Sequence, residues 1–239
     1  MAQNNIPKHI GYIVDGNRRW AKAKGLKSVD GHRKGFEVFK EIAEITFEKG
    51  VEYVSAYIFS TENWNRSVDE IGYLMKLFEN YFDKEIKSLH KKNIRVVFSG
   101  NRTKNISGKL IQLMNKGEEL TRENTGGTLC LCFNYGGQLE IVEAAQALAR
   151  RVAEGGLQPI EITIEKFAEH LYHPSVPAID VMVRTSGEQR ISNFQLWRIA
   201  YSEMIFLDKA WPDMNESDVN FVLDTYAGRD RRMGGDSRK

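Results

Sequence analysis

Residues His9–Ala21 read HIGYIVDGNRRWA. His9 to Val14 is a short apolar run of the kind that forms a buried strand, and a helical pattern starts beyond Asp15 and Gly16. The stretch is therefore read as a strand turning directly into a helix. Five further runs have strand character: Tyr53 to Phe59, Arg95 to Ser99, Thr128 to Phe133, Asp180 to Arg184 and Glu203 to Leu207. Helical periodicity fills most of the gaps. Phe36, Phe39, Ile42, Ala43 and Phe47 form one apolar stripe, ended by Gly50. Ile71, Leu74, Met75, Phe78, Phe82, Ile86 and Leu89 form a longer one, with Asp69 available as its N-cap, and the pattern returns over Ile106 to Glu123 and Ile141 to Ala153. Strands alternating with helices imply a single α/β domain around a mostly parallel six-stranded sheet, whose ligands sit beyond the C-terminal strand ends.

The 239 residues carry Lys+Arg 34 against Asp+Glu 32, a net charge of +2. That near-balance argues against a nucleic-acid binder, which needs a large basic excess. The basic tail GRDRRMGGDSRK is better explained as a solvated or dimer-crossing terminus. Nothing approaches the ~20 apolar residues needed to span a bilayer, and the N-terminus lacks a signal-peptide pattern, so the expected location is the cytoplasm. Cys130 and Cys132 fall on one face of a strand and read as a free, structural thiol pair. No repeat, low-complexity segment or linker divides the chain.

The chemistry should lie just past the strands. After the first come Asp15, Gly16, Asn17, Arg18 and Arg19, where a glycine turn and a helix start favour an anion. After the second, FSTENWNR crowds Ser60, Thr61, Glu62, Asn63, Trp64 and Arg66 together. After the fifth, RTSGEQRIS supplies Arg184, Arg190 and Ser192. Any one of these could be an ordinary polar turn or surface ion pair. Arginine at three strand ends has phosphate or diphosphate as its common denominator. Asp15 and Glu203 would then repel the ligand unless a hard cation such as Mg²⁺ lay between. P-loop, GxGxxG, GxSxG, HExxH and CxxC signatures are all missing, and no two aspartates are adjacent.

Seven motifs in order, HIGYIVDGNRRWA, GHRKG, FSTENWNR, NYGG, RTSGEQRISNF, WPD and RDRRMGG, make the sequence resemble the cis-prenyltransferases of the undecaprenyl diphosphate synthase family over nearly its whole length, His9 to Gly235. The resemblance implies a homodimer that adds isopentenyl diphosphate to an allylic diphosphate (dimethylallyl, geranyl or farnesyl) with cis geometry. It also implies Mg²⁺ and a hydrophobic tunnel between helices and sheet. By the same resemblance Asp15 is the metal-linked catalytic carboxylate and Glu203 the second one, while Gly16, Asn17, Arg18, Arg19, Trp20 and His32 line the allylic diphosphate site. Ser60, Thr61, Glu62, Trp64 and Arg66 form the adjoining loop, and Asn63 matches a residue assigned to proton handling. Arg184, Arg190, Ile191 and Ser192 match the isopentenyl diphosphate site, and the tail from about 228 to 239, through Arg231 to Gly235, reaches toward the partner subunit. The product is expected to be an undecaprenyl-type carrier lipid, with peripheral membrane contact at release, or alternatively a shorter cis-prenyl diphosphate. A noncatalytic subunit is disfavoured because Asp15 to Trp20 are kept.

Four positions depart from the common pattern: Arg18 replaces glycine, Ser28 and Gln138 replace arginines, and Gln189 replaces histidine. A missing charge-assisted phosphate contact costs ~1.5–3 kcal/mol unless Arg18 or Lys27 substitutes. Phe36 and Ile58 are bulkier than the residues common in long-chain members and argue for a short product, whereas Gly127, expected deep in the tunnel, argues for a long one.

Overall fold

A computed structural model describes residues 5–231. Six strands form one sheet in the order β3-β4-β2-β1-β5-β6, every adjacent pair parallel. They are β1 (His9–Ile13), β2 (Tyr53–Ser60), β3 (Arg95–Ser99), β4 (Thr128–Tyr135), β5 (Val181–Arg184) and β6 (Glu203–Phe206). The helices are α1 (Asn17–Ala23), α2 (Ser28–Glu48), α3 (Val68–Lys91), α4 (Gly108–Thr121), α5 (Gly137–Ala153), α6 (Ile164–Ala168) and α7 (Glu216–Ala227). Apolar residues on alternate sides of each strand give the sheet two buried faces, as a parallel sheet requires.

One face carries the larger core. Ile10, Tyr12, Val54, Ala56, Leu129 and Leu131 meet Val38, Phe39 and Ile42 of α2, Leu74, Phe78 and Phe82 of α3, and Leu110 and Met114 of α4. The opposite face joins Ile13, Tyr57, Val97 and the free thiols Cys130 and Cys132 to Val176, Ile179, Phe194 and Ile199. Helix α3 starts one turn earlier than its apolar stripe suggests. Ser67, not Asp69, is its N-cap, accepting the Glu70 N–H at 3.4 Å, because Asp69 already lies inside the first turn.

Helices α1 and α2 approach unusually closely. A β-carbon at Gly31 would stand 2.1 Å from the Asn17 carbonyl oxygen, and one at Gly35 2.1 Å from Asn17 Oδ1. These two helical glycines let the start of α1 press against α2. Gly16, with φ +102°, makes the sharp exit from β1.

Candidate active site

The strand order reverses at β1, whose neighbours are β2 on one side and β5 on the other. A cavity of about 540 Å³ opens at this switch point, between the C-terminal ends of β1, β2 and β5 and the inner faces of α2 and α3. Asp15, Asn17, His32, Ser60, Glu62, Asn63, Arg66, Arg184, Ser192 and Asn193 line it, and Phe36, Phe39, Ile58, Leu74, Phe78 and Trp211 supply apolar walls. One end is therefore fit for a charged head and the rest for a hydrocarbon.

Asp15 sits where β1 and β5 end side by side. Its backbone is locked by Thr185, whose hydroxyl donates to the Asp15 carbonyl at 2.7 Å and accepts the Asp15 N–H at 3.1 Å. One carboxylate oxygen accepts the Gly16 N–H at 2.7 Å, and the other accepts Arg184 Nη2 at 2.8 Å, with Arg19 at 3.5 Å. Burial pushes this carboxyl up, but Arg184, the Gly16 N–H and Arg19 together hold it below its ordinary value. It is ionised at neutral pH. Arg184, only 5% exposed, also donates to Ser192 Oγ at 2.7 Å and to the Arg190 carbonyl at 2.5 Å. Its Nε and the Oδ1 of Asn17 are buried with no hydrogen-bond partner. Such orphans are rare in a folded interior and mark where a polar ligand would be received.

The other wall is organised by Glu70, which the sequence reading passed over. Its carboxylate meets Arg66 at 3.1 Å, His32 at 3.3 Å and Arg18 at 3.7 Å. Burial lowers the His32 pKa, and the nearby Arg66 charge lowers it further against the pull of Glu70, so the ring is neutral at pH 7. Arg66 and Glu70 are four residues apart, but Arg66 is extended and precedes α3, so no helical face announced the pair. Asn63 lines the cavity, yet its Oδ1 is engaged by the Ser60 N–H at 3.1 Å. That bond makes it a turn-former and a still poorer base than an ordinary amide.

Several expected residues support the cavity from outside. The Trp20 indole donates to Asp213 at 2.7 Å, and the Trp64 indole to Asn134 at 2.6 Å while its ring packs edge-on against Phe59. Gly16, Thr61, Arg18, Arg19, Arg190 and Ile191 do not line it either. Arg19 and Arg190 share Glu188 at 2.7 and 2.5 Å at its rim. Of the four departures, Gln138 and Gln189 are exposed, and Ser28 opens α2 behind the Lys27 cap.

Glu203 stands apart from Asp15 within one protomer. It is the first residue of β6, level with Val181 and hence with Ile10, five residues short of Asp15. In a parallel sheet that is the opposite edge, roughly 16 Å away along the strands. Its carboxylate pairs with Arg229 at 3.6 Å, so one protomer cannot bring it to Asp15. Arg231 turns back on its own subunit, to Asp180 at 2.8 Å and the Tyr226 hydroxyl at 2.6 Å. The expected tail residues 232–239 lie outside the described ones.

Gly127 opens no room. A β-carbon there would stand 2.6 Å from the Phe47 ring, so Phe47 already fills that space and the glycine lengthens nothing. The cavity ends at an aromatic floor: Phe36 contacts Phe78 edge-on at 5.3 Å and Tyr81 at 5.0 Å, and Phe78 is backed by Phe133 at 4.8 Å.

Among the described residues no three His, Cys, Asp or Glu side chains gather as a metal cage. The donor set still suits Mg²⁺, which binds through one or two carboxylates and takes its remaining oxygens from substrate phosphates and water. Asp15 is the carboxylate placed for this.

An anion-receiving cleft at the switch point of a parallel sheet, closed behind by an apolar pocket, defines a transferase for amphiphiles with a phosphorylated head. Residues 13–234 match the family model for undecaprenyl diphosphate synthase, and the chain belongs to this prenyltransferase family. The trans,polycis-polyprenyl diphosphate synthase of Thermobifida fusca, specific for (2Z,6E)-farnesyl diphosphate, is 45% identical over 96% of this chain and 81% of its own. The ditrans,polycis-undecaprenyl-diphosphate synthase of Pasteurella multocida is 43% identical over 97% and 96%. The crystal structure of lavandulyl diphosphate synthase from Lavandula x intermedia, in complex with dimethylallyl diphosphate, superposes with a TM-score of 0.92 at 33% identity, covering 96% of this chain and 98% of that one.

Proposed function

We propose that the protein condenses isopentenyl diphosphate with a short allylic diphosphate and stops after few additions, releasing a short cis-prenyl diphosphate rather than a polyprenyl carrier. The observation that carries this is the aromatic floor that Phe36 and Phe78 give a 540 Å³ cavity. At interior packing density a five-carbon unit fills roughly 130 Å³, so an undecaprenyl chain needs roughly 1,400 Å³.

In this reading the allylic C1–O bond breaks, C1 bonds to C4 of the isopentenyl unit, and a proton leaves C2 of that unit. Mg²⁺ held by Asp15 would neutralise charge on the departing diphosphate. Arg66 and His32 sit on the allylic side, and Arg184 and Ser192 hold the isopentenyl diphosphate. Phe36, Phe39 and Phe78 keep water from the hydrocarbon. The released diphosphate is a better proton acceptor than the occupied Asn63 amide. A homodimer is favoured by the open edge at β6, where Tyr201 and Met204 are 70% and 44% exposed. No described helix is long and apolar enough to cross a membrane, which fits work in the cytoplasm with peripheral contact at most.

The test is elongation of dimethylallyl, geranyl and farnesyl diphosphate with labelled isopentenyl diphosphate and Mg²⁺, read by product length. Products well short of undecaprenyl length are expected. An undecaprenyl-length product would overturn the short-chain reading, and no elongation with any primer would overturn the condensation itself.

A further inference from the structure

Asn193 lines the cavity without an assigned role, and it ties three of its segments together. Its backbone carbonyl accepts the Gly137 N–H at 2.8 Å, and its side-chain Oδ1 accepts the Gln138 N–H at 2.8 Å. Helix α5 has no cap of its own, since Gly136 carries no side chain, so a residue 55 positions later caps it. The remaining side-chain group, Nδ2, donates to Glu62 Oε1 at 2.9 Å.

The NYGG motif supplies the space for this. A β-carbon on Gly136 would stand 3.0 Å from Asn193 Nδ2 and 2.6 Å from Thr61 Oγ1, and one on Gly137 3.0 Å from the Asn193 carbonyl. Asn193 has φ +64° and follows Ser192 at φ +47°, a pair of left-handed residues in which asparagine is among the best tolerated. Ser192 is the residue that receives Arg184. Burial works against the Glu62 carboxylate, and the Asn193 amide is the foremost contact holding its pKa below the ordinary value.

We infer that Asn193 is a positioning residue: docked in the Gly136–Gly137 notch, it fixes the separation between the Glu62 loop and the Arg184–Ser192 arm, and so sets affinity for the homoallylic diphosphate. The inference rests on the condensation reading above. Asn193 acts through Glu62 and Ser192, not on the reacting atoms.

The experiment is a double-mutant cycle of Asn193→Gly, which keeps the left-handed backbone, with Glu62→Ala. Each single variant is expected to raise KM for isopentenyl diphosphate about tenfold, the size of one lost charge-assisted hydrogen bond, with kcat changed far less. The double variant should be no worse than the worse single one. A cap that only stabilises α5 would instead lower Tm, leave KM alone and add independently to Glu62→Ala, and that result overturns the proposal. Should Asn193→Gly fail to fold, Asn193→Asp retains the acceptor for Gln138 and replaces it in the cycle. Calorimetric affinity for inorganic diphosphate, measured on all four proteins, reads the same coupling without turnover. An inactive wild type would thus sink the condensation reading, while the cycle in diphosphate affinity still decides the role of Asn193.

Discussion

In the proposed reaction Asp15 is held by opposite needs: it would stay ionised among arginines that receive diphosphate, and it would exchange one of them for a cation. Its contacts with Arg184 and Gly16 depress its pKa, so the ionised form persists below the ordinary carboxylate value of ~3.9. An acid limb in kcat/KM due to Asp15 is accordingly expected below about pH 4. Asp15→Asn keeps the shape and removes the charge. It should lower kcat/KM by about 100-fold or more with a cooperative melt retained, measured at saturating Mg²⁺. Near-normal turnover would refute the role. At this scale the sequence was readable where function follows a strand end: Asp15, Ser60, Arg66 and Arg184 all line the cavity. Glu70 and Asn193 were not, because their partners come from other elements and no local pattern announces them. Nor was the distance of Glu203 from Asp15 within one protomer, because a strand's first residue and its last lie at opposite ends of a parallel sheet.

The strands and the long helices followed from periodicity, while strand pairing and close approaches did not. Alanine is intrinsically favoured over glycine in a helix interior by about 1 kcal/mol. Gly35→Ala in α2 should nonetheless lower Tm, because its methyl would meet Asn17 Oδ1, and it should raise KM for the allylic substrate because Asn17 lines the cavity. A higher Tm would show that α1 yields easily. Helix α4 offers a second test. Burial raises the Glu118 carboxyl, but His173, Arg102 and the Phe98 N–H outweigh burial and bring its pKa down to about 2. A depressed folded-state pKa gives stability that is complete above the ordinary glutamate value and drains as pH falls toward 2. Glu118→Gln should therefore cost on the order of 2–3 kcal/mol at pH 7, shrinking to almost nothing near pH 2, as read by urea melts across that range.

At the scale of the molecule, the parallel sheet and its two covered faces were legible from the alternation of strands and helices, and the strand order and the cavity's depth were not. Depth depends on which rings meet, and Phe47 over Gly127 is a tertiary contact between α2 and the entry to β4. Phe36 is the part of the floor that α2 contributes, touching Phe78 and Tyr81. Phe36→Ala should lengthen the product by at least one five-carbon unit, seen by chromatography of the dephosphorylated alcohols, at a stability cost of about 3 kcal/mol. An unchanged product would place the stop elsewhere.

The placement of β1 between an early neighbour and a late one bears on how the chain is made. Synthesis proceeds N-terminal first, and β2 can dock soon after β1 emerges. The other edge of β1 waits for β5, and the Asp15–Arg184 link closes over 169 residues. Asp180 joins the ends in the same way, one oxygen receiving the Lys8 and His9 N–H groups and the other Arg231. Closing such distant contacts is slow, and an unpaired strand edge is sticky while it waits. The nascent chain must therefore carry an open central strand through most of translation, and ligand-binding competence can appear only as the last strands leave the ribosome.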